Sequence, residues 1–334
     1  MSTFKKSALF ITIFVIIAFV CLLFLLNSSQ KQAGGIKTIG INQFMEHPLL
    51  DAAREGMMDE LIRQGITQAD GYSILFRNAA GDASVAMQIN QQFVNQKVCM
   101  IVALGTPAAQ SAVKATSEIP IVFGVITDPI ASGLAESEER PGGNKTGSSD
   151  RWPYAKQIEL IRKVCPEART VGIVLNPGES NTEASMKYIR PLLVKAELQT
   201  VEVPVANSSE VMQAARSLVG RCDVMLIPGD NTVIAAISSI VRVANENKIP
   251  LFAGDEDSVV KGALATYGIS YREVGVSTAK IIAEILKENI VNVGDIPLAV
   301  VHEADLVINL KAAEAQGVVI PKALLDSAKR VIKD

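Results

Sequence analysis

The chain is short of the side chains that most enzymes and metal proteins rely on: its 334 residues hold 2 histidines, 4 cysteines and 1 tryptophan. With only His47 and His302, and no Cys-x-x-Cys pair, no transition-metal pattern can be drawn. There is no Gly-x-Gly-x-x-Gly after a strand, no Gly-x-Ser-x-Gly and no Gly-Lys-Ser/Thr phosphate loop. A dinucleotide enzyme, a serine hydrolase and a nucleotide triphosphatase therefore have no motif to rest on, and no cofactor is expected. Excess positive charge is also missing: Lys and Arg number 32 against 35 Asp and Glu, a net charge of −3, so a nucleic-acid partner is not expected. Cys21 falls in an N-terminal apolar run, and the remaining Cys99, Cys165 and Cys222 are odd in number. They read as small hydrophobes rather than as a disulfide framework.

What the chain does have is bulk hydrophobicity, 49% against 20% charged, and length enough for two domains with real cores. Lys5 and Lys6 precede Ala8 to Leu26, 19 residues whose only polar member is Thr12. Such a run is long enough to cross a membrane as a helix. It exceeds the apolar region of an ordinary signal peptide, and Asn27-Ser28-Ser29-Gln30 follows without a small-x-small site. An uncleaved anchor is preferred to a cleaved signal, and the two lysines place the body outside the cytoplasmic membrane. Phe19-Val20 before Cys21 does not resemble a lipid-attachment site.

After a spacer from Gln30 to Lys37, strand and helix patterns alternate. Lys37 to Asn42 reads as a strand, and His47-Pro48 opens a helix through Leu49, Ala53, Met57, Leu61 and Ile62. A strand at Tyr72–Phe76, a helix from about Ser84 to Asn95 and a strand at Met100–Leu104 follow. A helix then runs from Pro107 to about Thr116, and a strand covers Ile121–Phe123. The pattern restarts at Thr170–Leu175, which matches Thr38–Asn42, and Lys248–Phe252 matches Glu118–Phe123. Gly40 and Gly172 lie 132 residues apart and Pro120 and Pro250 lie 130 apart, a nearly constant offset. The expected fold is α/β: two similar doubly wound parallel-sheet lobes joined by a hinge and preceded by one transmembrane or signal helix.

The Gly-, Pro- and Ser-rich stretch from Glu136 to Asp150 reads as the hinge, and a second crossing is expected near Tyr267–Ser270. The expected division is residues 1–34 for the anchor and spacer, 35–130 for the first lobe and 131–153 for the crossover. Residues 154–268 form the second lobe, and 269–334 the second crossing and a tail packing back across the hinge.

Two strand-to-helix junctions carry the functional expectation. Val98 to Leu104 leads into Gly105-Thr106-Pro107, and Val224 to Ile227 leads into Pro228-Gly229-Asp230-Asn231-Thr232. A helix start offers unpaired N–H groups to an anion, so two such mouths suggest two lobes facing one ligand.

Several segments resemble one known family, the periplasmic-type substrate-binding proteins of ABC importers, in the branch with tryptophan- and tyrosine-binding proteins. They are Gln43–Asp51, Asn78–Asp82, Gly105–Ala108, Ile119–Phe123, Thr127–Pro129, Pro141–Asn144 and Thr146–Asp150 in the first part. Asn176–Asn181, Asp230–Thr232, Phe252–Ser258, Asn309–Lys311, Gly317 and Ile320-Pro321 continue the likeness to about residue 332. The resemblance implies a type I periplasmic binding protein fold closing on a small molecule, expected to be an amino acid, with no chemistry of its own. It also implies delivery to a permease and its ATPase subunit. Arg151-Trp152-Pro153-Tyr154 departs from the pattern expected there.

A free amino acid needs N–H donors for its carboxylate and a carboxylate for its ammonium. Thr106 and the N–H groups beyond Pro107 are the expected donors, with Asn231 and Thr232 opposite. Asp128, Asp150, Asp230 and Asp255 are the candidates for the ammonium, all placed after strands or in the crossover. Gln43 and Phe44, after the first strand of lobe one, and Asn176, Ser180 and Asn181, after the first of lobe two, are the further contacts expected. Trp152 lines the pocket or braces the crossover, Glu256-Asp257 reads as a solvated helix start, and His47 reads as a turn residue. The alternative reading is a membrane-tethered ligand sensor with the same cleft, which a retained N-terminal helix favours. A transcriptional regulator on this fold would carry a DNA-binding module where this chain has its apolar run.

Overall fold

The structure, a computed structural model, describes residues 36–301 and 304–333, so the apolar run at 8–26 and the helix expected there lie outside the described residues. The first half consists of β1 (Lys37–Gln43), α1 (Pro48–Arg63), β2 (Tyr72–Asn78), α2 (Ala83–Asn95), β3 (Met100–Leu104), α3 (Thr106–Ala115), β4 (Ile121–Ile126) and β5 (Lys145–Ser149). The second begins with α4 (Tyr154–Val164), β6 (Thr170–Leu175), α5 (Ser180–Lys195), β7 (Gln199–Pro204), α6 (Val211–Ser217) and β8 (Val224–Leu226). It continues through α7 (Asn231–Ala235), α8 (Ile237–Asn247), β9 (Leu251–Phe252), α9 (Glu256–Val260) and β10 (Ala265–Gly268). The remainder is α10 (Tyr271–Glu288), β11 (Ala299–Val300), β12 (Asp305–Asn309), α11 (Leu310–Ala315), α12 (Lys322–Ser327) and β13 (Arg330–Ile332).

Two sheets result. One has the order β11-β5-β4-β3-β1-β2 and is parallel throughout; the other has the order β13-β12-β10-β9-β8-β6-β7, with only the β10–β12 pair antiparallel. Strands covered by helices on both faces must be apolar along their whole length, and Met100-Ile-Val-Ala-Leu104 is buried at every position. The lobes are therefore two similar doubly wound parallel sheets, as the alternating pattern predicts.

The chain passes between the lobes after β5, after β10 and between β11 and β12. The second passage matters most for the site, because α10 leaves the second sheet and packs on α1 of the first lobe. Their backbones touch: a Cβ built on Gly275 would lie 1.9 Å from the carbonyl oxygen of Ala53, and one on Gly56 2.2 Å from that of Arg272. Only glycine permits this approach, and it seats the start of α10 beside the cleft.

β4 carries one irregularity at the cleft. Its register against β5 shifts between Phe123 and Ile126, and Val125 within the shift has φ of 61°. A β-branched residue in the left-handed region is strained, and such strain persists only where the surroundings enforce it. Hydrogen bonds join the lobes across the cleft from His47 to Asn231, from Ser180 to Gln110 and from Tyr188 to Asp128.

Candidate functional site

Between the lobes lies a narrow cavity, about 280 Å³ when the open solvent at its edge is counted and with room for little more than a water molecule inside. The first lobe and α10 contribute His47, Leu49, Thr106, Val125, Thr127 and Tyr271, and the first crossing contributes Asp150 and Trp152. The second lobe contributes Asn181, Gly229, Asn231 and Ile234. No Lys or Arg is among the residues lining it.

The first-lobe wall is built on two helix starts. α3 is preceded by Gly105 at φ 93°, and no side chain caps it. Thr106 is buried in the first turn without capping its own helix; the cap position belongs to Gly105. The N–H groups of Thr106 and Ala108 have no intrahelical acceptor, which leaves a positive dipole end at the cavity. α1 is capped by His47, whose Nδ1 accepts from the N–H groups of Leu49 and Leu50. Nδ1 is thus the acceptor and Nε2 carries the proton, which it donates to Asn231 Oδ1 at 3.0 Å. Burial holds this imidazole below its ordinary pKa, keeping it neutral.

Asp150 is the acidic group of the cavity. Its Oδ2 accepts the Tyr271 hydroxyl at 2.6 Å, and that hydroxyl in turn accepts from Trp152 Nε1 at 2.7 Å. Its Oδ1 is buried without a hydrogen-bond partner. Burial pushes the carboxyl up to about 6, while the Tyr271 hydroxyl, the Asp150 backbone N–H and the nearby Thr127 hydroxyl, which makes no well-aligned bond to Oδ1, act in the opposite direction. Asn181 Oδ1 is the second buried acceptor of the cavity without a partner, its Nδ2 being committed to Glu179 and to the Gly229 carbonyl.

The second-lobe wall is self-contained. Glu179 accepts from the N–H groups of Asn231 and Thr232 at 3.2 and 3.0 Å, and from both of their side chains. Its carboxylate thus already fills the start of α7. Asp230 is wholly buried, accepts from Asn176 N–H, Thr182 Oγ1 and Val233 N–H, and is raised by burial and by the nearby Glu179.

The structure thus brings together Thr106, Asp150, Asn181 and Asn231 from the expected set. The others sit elsewhere. Asp128 accepts from Ala131 N–H and from Tyr188, as a bridge between lobes. Asp255 caps α9 through Ser258 and is pushed up to about 7 by burial. Gln43 is held by Met45, Asp51 and Arg54. Phe44, Pro107, Asn176 and Thr232 line an outer groove at the cleft mouth rather than the cavity. Ser180 bonds to Gln110 across the cleft.

Residues that sequence reasoning did not assign include His47, Leu49, Thr127, Gly229, Ile234 and Tyr271. His47 is more than a turn residue, and Trp152, for which both roles were open, lines the cavity and braces the crossover at once. The one local signal for the remainder is the His47-Pro48 helix start, which places an imidazole at the mouth of the same strand end as Gln43.

The family described as ABC transporter substrate binding protein matches residues 38–332. The chain is 39% identical over 293 residues to a tyrosine-binding protein of Clostridioides difficile (strain R20291), covering 87% of this chain and 83% of that one. Its fold superposes with TM-score 0.84 on an ABC domain from Streptococcus pneumonia in complex with L-Trp, at 31% identity, with 89% and 99% of the two chains covered. Against the ligand-free, open structure of a substrate binding protein with adhesive properties from Clostridium difficile, the TM-score is 0.66 at 35% identity, with 90% and 100% covered. The likeness is thus greater to the L-Trp complex than to the open structure, and three hydrogen bonds join the lobes here across the cleft. The chain therefore belongs to the ABC transporter substrate-binding protein family, whose type I two-lobed members are a non-enzyme class that holds a small molecule outside the cytoplasm for a membrane permease and its ATPase.

Proposed function

We propose that the cavity receives a free amino acid with an aromatic side chain. The observation that carries this reading is the pairing, in one cavity between the lobes, of a carboxylate oxygen at Asp150 without a protein hydrogen bond and a helix start at Thr106 that no side chain caps. In this reading Asp150 Oδ1 and Asn181 Oδ1 take the ammonium, while the N–H groups opening α3 take the carboxylate. With no Lys or Arg in the lining, a ligand whose only charge is negative leaves Asp150 unpaired, so an amine is required. Leu49, Val125, Ile234 and the Trp152 ring supply the apolar remainder. The tyrosine-binding relative and the L-Trp complex support an aromatic side chain.

Thermal melting of residues 35–334 against each of the twenty amino acids tests this. Tyrosine or tryptophan is expected to raise the midpoint by mass action, and no shift with any amino acid would refute the ligand class. We further place the chain on the extracytoplasmic face of the cytoplasmic membrane, held by residues 8–26.

A further inference from the structure

We propose that Tyr271 is a positioning residue: its hydroxyl, itself held by Trp152 Nε1, keeps the Asp150 carboxylate ionised and turned so that Oδ1 faces the cavity. The proposal rests on the reading of Asp150 as the amine partner.

The direction of the chain follows from the donors. An indole N–H can only donate, so at 2.7 Å the Tyr271 oxygen is the acceptor. The hydroxyl proton is then free for Asp150 Oδ2 at 2.6 Å, a length characteristic of a hydrogen bond to an ionised oxygen. With Oδ2 held, rotation of the carboxylate is fixed and Oδ1 is left buried and without a partner. The indole is fixed in turn, since a Cβ built on Gly254 would lie 1.6 Å from its ring. The chain therefore runs from the second lobe at Gly254, through the first crossing at Trp152, to the start of α10 beyond the second crossing, and ends at the cavity.

Other titratable groups face this chain. Asp255 and Asp150 both act on Tyr271, Tyr154 feels Asp150, and His47 lines the same cavity. Burial raises Asp150 and the Tyr271 bond is the largest of the effects that lower it, so removing the hydroxyl leaves burial opposed only by the Asp150 backbone N–H and the Thr127 hydroxyl.

The test needs no ligand to begin. Trp152 is the single tryptophan of the chain, and its emission reports the ionisation of the carboxylate two bonds away along the chain. In the ligand-free protein the emission is expected to show one acid titration, which Asp150→Asn abolishes and Asp255→Asn leaves in place. Tyr271→Phe should move its midpoint up by about one pH unit, the effect of losing one hydrogen bond to a charged group. A midpoint unchanged in a folded Tyr271→Phe protein overturns the proposal. L-Tyrosine, measured by calorimetry, gives the second arm: Tyr271→Phe is expected to bind about 5-fold more weakly near pH 6 and to approach wild type as pH rises. Trp152→Phe should shift the same profile in the same direction by less, which keeps the test available if Tyr271→Phe does not fold. A uniform loss of affinity at every pH would mark a merely structural role and refute positioning. Should Asp150→Asn lose L-tyrosine while Tyr271→Phe keeps the wild-type profile, the positioning role fails and the Asp150 assignment stands; should Asp150→Asn bind as wild type, both fail.

Discussion

Asp150→Asn separates stability from binding, and the two should move in opposite directions. The side chain is buried, and its carboxyl is raised from 3.8 to about 6 in the folded chain. Between those values the folded state holds a proton that the unfolded state has released, so stability falls as pH rises through this window. The full cost is present above the folded value and absent below the unfolded one. For a shift of this size the ionised group costs the ligand-free protein about 3 kcal/mol at neutral pH. An amide keeps an acceptor for Tyr271 and removes the charge, so the ligand-free midpoint should stay the same or rise. The bound state loses instead: an amide N–H turned toward an ammonium repels it, and leaving one partner of a buried ion pair alone costs about 3–5 kcal/mol. That is a loss of affinity of about 100-fold or more, readable by calorimetry with L-tyrosine. The same linkage makes wild-type affinity fall as pH drops below about 6, because a ligand ammonium then competes with a proton for Asp150. Affinity retained in a folded Asp150→Asn protein, or a wild-type affinity flat from neutral to acid pH, would refute the reasoning.

Thr106→Ala removes a cavity hydroxyl but keeps the N–H groups at the start of α3, and it breaks no capping bond. Affinity should drop by about 1 kcal/mol, with the melting midpoint of the ligand-free protein unmoved; a stability loss typical of a cap would contradict the geometry. An anchor at residues 8–26 predicts that the membrane-extracted protein begins at its initiating residues. Mass spectrometry of the mature N-terminus beyond Leu26 would overturn it.

The lobes and their repeat were legible because the signals are local: an apolar run such as Met100–Leu104 can only be a strand covered on both faces, and Gly105 ends it where the chain must turn. The lining of the candidate cavity was legible where it lies at a strand end or in the crossover, as at Thr106, Asp150 and Asn181. It was not legible where a residue's role depends on which side of a turn it faces. Asp230 and Asp150 look alike in sequence, yet the first is consumed by three donors of its own lobe and the second keeps an oxygen free. Tyr271 could not be found at all, since its place at Asp150 depends on α10 returning to the first lobe through the glycine contacts with α1.

The duplication explains why only one of the two helix starts can take a ligand's carboxylate. At the 132-residue offset that relates Gly40 to Gly172, His47 in the first lobe corresponds to Glu179 in the second. Glu179 places its carboxylate on the N–H groups of Asn231 and Thr232, so the second lobe supplies its own anion. In the first lobe the equivalent position holds a neutral imidazole that caps α1 and reaches across to Asn231 instead, and the start of α3 keeps its donors unused. One substitution between repeats thus makes a symmetric pair of helix mouths asymmetric, and the one no side chain caps lines the same cavity as Asp150. A zwitterion matches that arrangement in charge at both ends, whereas an anion matches only one.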